Sequence, residues 1–122
     1  MFLDIAARIV LLPVLIGQAL YVRHNIAELP EPHGARSGTT GSGPGLRILI
    51  LGDSSAVGLG VDTQAEALLG QVIRALSPQF TLTYDLVAVT GARTVDALGW
   101  LSDLPVEGYD VVVTAFGVND VT

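Results

Sequence analysis

The chain has 122 residues, of which half are hydrophobic and 15% charged, and its formal net charge is −6. That balance excludes a disordered chain, and an acidic sequence with no lysine and no basic run is not expected to bind nucleic acid. The lack of cysteine excludes disulfides, thiolate metal sites and a cysteine nucleophile, while the lack of lysine excludes Schiff-base chemistry and the lysine of a phosphate-binding loop. No cofactor and no metal are implied.

Residues 1–29 form the first unit. An apolar run from Ile9 to Val22 is interrupted only by Pro13, Gly17 and Gln18, and Arg8 and Arg23 bracket it. Fourteen helical residues reach about 21 Å at ~1.5 Å each, short of a hydrocarbon core of roughly 30 Å, although starting at Ile5 with Arg8 snorkelling gives 18 residues. Three readings stay open: an uncleaved anchor or interfacial helix, a signal cleaved near Gly17-Gln18-Ala19, and a helix packed on the domain. The first, carried by residues 1–25, implies a membrane-associated or cell-envelope location; the last is compatible with the cytoplasm. Residues 30–45 hold five glycines and three prolines and read as a linker.

Residues 46–122 alternate strand and helix signals. Leu46 to Leu51 is a continuous apolar run apart from Arg47, as in a central strand covered on both faces. Thr63-Gln64-Ala65-Glu66 reads as a capping box opening an amphipathic helix that Pro78 stops. Thr81 to Val89 begins with alternation and suits an edge strand. A helix over about Val95–Leu104, with Thr94 as N-cap and Pro105 as stop, leads to a second central strand over Asp110–Phe116. Right-handed crossovers then give an open parallel α/β sheet in the order 2-1-3, flavodoxin-like and three-layered, whose ligand site lies beyond the carboxyl ends of strands 1 and 3.

Three polar clusters follow those strands: Gly52-Asp53-Ser54-Ser55, Thr90-Gly91-Ala92-Arg93 and Gly117-Val118-Asn119-Asp120. A serine on a tight strand-to-helix turn presents its hydroxyl to the rim, a glycine lets a backbone N–H approach closely, and an asparagine offers an amide donor. One nucleophile and such donors are the parts of an oxyanion hole. The bland alternatives are a Ser54 or Ser55 helix cap and an ordinary turn glycine at Gly91.

In this order and spacing the clusters resemble blocks I, II and III of the SGNH, or GDSL-type, hydrolases, a family of esterases and lipases. Over residues 46–122 the resemblance implies a serine ester hydrolase: carboxylesterase-, lipase- or lysophospholipase-like, acting on a small-molecule or lipid-derived ester. Ser54 is the implied nucleophile, and the Ser54 amide, Gly91 amide and Asn119 side chain the implied oxyanion donors. Asp53 is implied to hold the turn, and Asp120 is expected to cap a following helix. The family's block V, an aspartate three residues before a histidine, has no counterpart here. The only histidines, His24 and His33, precede the domain and read as solvated or interfacial. Residues 46–122 are therefore expected to be the N-terminal part of such a domain, inactive alone. Two other functions remain: a noncatalytic hydrolase-like binding module, and a flavodoxin-like nucleotide-binding module, which the glycine pattern of 52–60 fits less well.

Overall fold

The structure is a computed structural model that describes residues 1–121. A four-stranded sheet forms from β1 (Ser37–Gly41), β2 (Gly45–Gly52), β3 (Thr81–Ala88) and β4 (Val111–Ala115), in the spatial order β1-β3-β2-β4. β2 pairs in parallel with both β3 and β4, so the expected 2-1-3 arrangement is present, and β1 adds an antiparallel strand outside it.

The central position of β2 follows from its apolar run. Ile48, Leu49, Ile50 and Leu51 are each no more than 2% exposed, and alternation along the strand sends Ile48 and Ile50 to one face and Leu49 and Leu51 to the other. Ile48 and Ile50 meet Leu82, Leu86 and Ala88 of β3, together with Ala56 and Val57 of α2 (Ser54–Val57) and Leu69 of α3 (Leu68–Leu76). The crossover to β3 runs one way across the sheet and that to β4 runs back, so right-handedness sets α4 (Thr94–Asp103) on the opposite face. There Trp100 tilts against Phe116 with ring centroids 5.9 Å apart, and Ala92 and Ala97 are buried. The molecule therefore has three layers.

Several boundaries differ from the sequence expectation. The strand over Thr81–Val89 is interior rather than an edge, because β1 pairs along it from Ser37↔Asp85 to Gly41↔Thr81. Its alternation records which face is covered, not which strands flank it. The 30–45 linker is correspondingly a structured segment: β1 buries little side-chain area, but backbone pairing requires none. Pro32 is buried, and Arg36 donates to the Ala88 carbonyl at 2.9 Å.

The helix expected from Ala65 begins only at Leu68. Glu66 accepts from both the amide and the hydroxyl of Thr63, closing a turn instead of a first helical turn, and the chain at Ala65 folds across Gly70, where a Cβ would lie 2.1 Å from the Ala65 carbonyl oxygen. Thr94 is the first residue of α4 and not its N-cap, which is Arg93.

α1 (Phe2–Asn25) is a single 24-residue helix that contains Pro13 and has no buried residue. An 18-residue stretch of it has a mean hydropathy of 2.0, so the helix is long and apolar enough to cross a membrane, as a signal sequence would also be. A helix packed on the domain is not what forms: the face that would have to seat against the sheet is exposed along its whole length.

Candidate functional site

The three polar clusters meet at the carboxyl edge of β2, β3 and β4. Gly52 ends β2 where space is tight: a Cβ there would lie 2.3 Å from the Ala56 methyl and 2.9 Å from the Ala115 carbonyl oxygen. Only glycine lets the turn into α2 pass this close to β4. The Asp53 amide then donates to Ala115 and the Val89 amide to Gly52, which fixes the turn between both neighbouring strands.

Asp53 is 2% exposed and caps α2, one carboxylate oxygen accepting from the Ser55 amide at 2.9 Å and the Ser55 hydroxyl at 2.8 Å. Its structural part in the turn is thus visible. The same bonds distinguish the two serines. The Ser55 hydroxyl is engaged by Asp53, whereas half-buried Ser54 begins the helix with no such bond to its hydroxyl among the described residues.

Asn119 lies in a 3-10 turn, Val118–Val121, after β4. Its side-chain amide donates to the Ala92 carbonyl at 2.9 Å and lies 3.5 Å from the second Asp53 oxygen. One side chain therefore links the residue before Ser54 to the residue after Gly91. Gly91 adopts φ +82° with nothing within 4 Å of a Cβ position, so backbone conformation and not crowding selects glycine there. It lines a cavity of about 360 Å³ with Ala92, Asp96 and Trp100, whereas Ser54 and Asn119 are not among that cavity's residues.

Comparison with protein-family models, curated proteins and solved structures finds no match. The site rests on its own geometry.

Two features lay outside the sequence reading. Asp120, expected to cap a helix that would lie outside the described residues, reaches back to α4, accepting from the Thr94 amide at 3.0 Å and the Thr94 hydroxyl at 2.5 Å. The hydroxyl bond first, and then the amide bond, hold its carboxyl below the ordinary carboxylate range. The second feature is a clasp in the former linker. Glu31 pairs with Arg36 at 2.8 Å and accepts from the Thr90 hydroxyl at 3.5 Å, while Arg36 holds the end of β3 through Ala88. Neither feature has a local sequence signal, because both join residues that are distant in the chain. His24 lies within α1, and His33 forms a parallel bridge to Thr63 on the 31–36 segment.

Proposed function

We propose that Ser54 is the nucleophile of a serine ester hydrolase site of the SGNH type, with Asn119 and the Gly91 amide as oxyanion donors. The observation that carries this reading is the Asn119 amide bridging the Ser54 turn and the Gly91 loop. In the proposed reaction a base takes the Ser54 hydroxyl proton as Oγ attacks the ester carbonyl carbon. The carbonyl electron pair moves onto oxygen, and the resulting oxyanion is met by the donors. Collapse expels the alcohol, which regains the proton, and water then cleaves the acyl-serine.

The Asn119 contact to Asp53, at 3.5 Å, is weaker than that to Ala92 and is the one that an oxyanion would replace. The base is assigned neither to His24 in α1 nor to His33 in the Thr63 bridge, and no histidine follows Ser54 in the sequence. α1 serves in this reading as a membrane anchor, supported by its length, hydropathy and uniform exposure. A noncatalytic binding module is the second reading, favoured by the protein acceptors already facing the Asn119 amide.

The test is hydrolysis of a nitrophenyl ester by the 122-residue chain in detergent with imidazole supplied as base. The wild type should exceed the imidazole background, Ser54→Ala should fall to it, and Asn119→Ala should lose on the order of 100- to 1,000-fold in turnover. Wild-type rates equal to those of Ser54→Ala would remove the hydrolase and leave the binding module.

A further inference from the structure

A cavity of about 430 Å³ lies where α1 joins the rest of the chain, lined by Ile26, Ala27, Leu29, Glu31, Leu59 and Thr90. Its volume falls within the roughly 300–1,000 Å³ of small-ligand sites. Two of its walls belong to the candidate site. The Leu59 amide donates to the Ser54 carbonyl at 3.3 Å, and Thr90 immediately precedes Gly91. Leu59 also packs on the hydrophobic core, whereas Ile26 and Leu29 stay 68% and 56% exposed, apolar side chains with only part of their surface covered.

The remaining wall is the segment that leaves α1. Five residues separate Asn25 from Glu31, six steps of chain that reach at most about 20 Å when extended. Glu31 is fixed to Thr90 and, through Arg36, to the end of β3. A bilayer holding α1 would therefore have the mouth of this cavity at its surface. Charge narrows the occupant further: Glu28 and Glu31 line the cavity, Arg36 offsets the charge of Glu31 but no ion pair among the described residues offsets Glu28, and a carboxylate so placed repels an anionic ligand.

We propose that this cavity receives an acyl chain of a bilayer lipid ester with no net charge, delivering its carbonyl toward Ser54. The proposal rests on the hydrolase and anchor readings above. It makes the residues that tether α1 part of the substrate site, so that the anchor and the specificity pocket are one piece of chain.

The test reconstitutes the full chain in phosphatidylcholine vesicles doped with a phosphatidylcholine carrying a photoreactive diazirine on one acyl chain, and maps the adducts by mass spectrometry. Adducts are expected on Leu59 and Thr90 as well as on α1. Leu29→Asp should reduce those at Leu59 and Thr90 on the order of tenfold while leaving α1 labelling unchanged. A phosphatidylglycerol probe should label Leu59 less than the phosphatidylcholine probe does. Adducts confined to α1, no adducts on α1, or equal labelling of Leu59 by both probes would each overturn the proposal. Because no step requires catalysis, Leu59 and Thr90 adducts that persist in Ser54→Ala support the pocket even where the ester assay fails, so the two failures are distinguishable.

Discussion

Asp120 shows how one carboxylate can hold two elements that the sequence keeps apart. Its bonds from Thr94 lower its pKa in the folded chain, so its contribution to stability is complete above the ordinary carboxylate range and is lost as pH falls through the lowered value. Asp120→Asn should therefore lower the urea midpoint at neutral pH, and the difference from wild type should vanish in strong acid; a pH-independent difference would contradict this origin. The residues around Ser54 were legible because each has a local signature: glycine where a turn must pass close, aspartate where a short helix needs a cap, serine at its start. Asp120 adds a role that no local signature shows: its carboxylate turns back 26 positions to Thr94, while a helix for it to cap would lie outside the described residues.

Between elements, the amino-terminal ends of the strands are tied by side chains much as the carboxyl ends are tied by loops. Tyr109, just before β4, donates to Asp85 of β3 at 2.5 Å, and Arg47 of β2 sits 5.3 Å from the centre of the Tyr109 ring. Asp110 accepts from the Arg47 amide at 2.8 Å. The bond to Asp85 is the main cause that raises the Tyr109 pKa, with desolvation and the Asp85 charge adding and Arg47 opposing. A raised pKa means that this stabilisation is intact below the ordinary tyrosine range and declines as pH rises through it toward the folded value. Tyr109→Phe should accordingly flatten the alkaline limb of the stability curve, and an unchanged limb would remove Tyr109 as its cause. The order of the three parallel strands was readable from apolar runs and crossover handedness. β1 was not, because Ser37-Gly-Thr-Thr-Gly carries no apolar pattern and joins the sheet only through the edge that β3 offers.

At the scale of the molecule, a long exposed apolar helix and an α/β layer are joined by a segment that composition marks as a linker and that the structure docks through Pro32, Arg36 and β1. That docking sets the segment leaving α1 beside Leu59 and Thr90, a relation invisible in the sequence because glycine- and proline-rich chain signals flexibility whether or not backbone pairing immobilises it. Whether Ser54 is a nucleophile decides what this arrangement does. The most direct measurement is mass-spectrometric mapping of the adduct formed by a fluorophosphonate with the 122-residue chain, at increasing imidazole and beside Ser54→Ala. A single adduct is expected on Ser54, growing with imidazole, absent from the variant and sparing Ser55. No adduct at any imidazole concentration, or an adduct of equal yield in Ser54→Ala, would contradict that role.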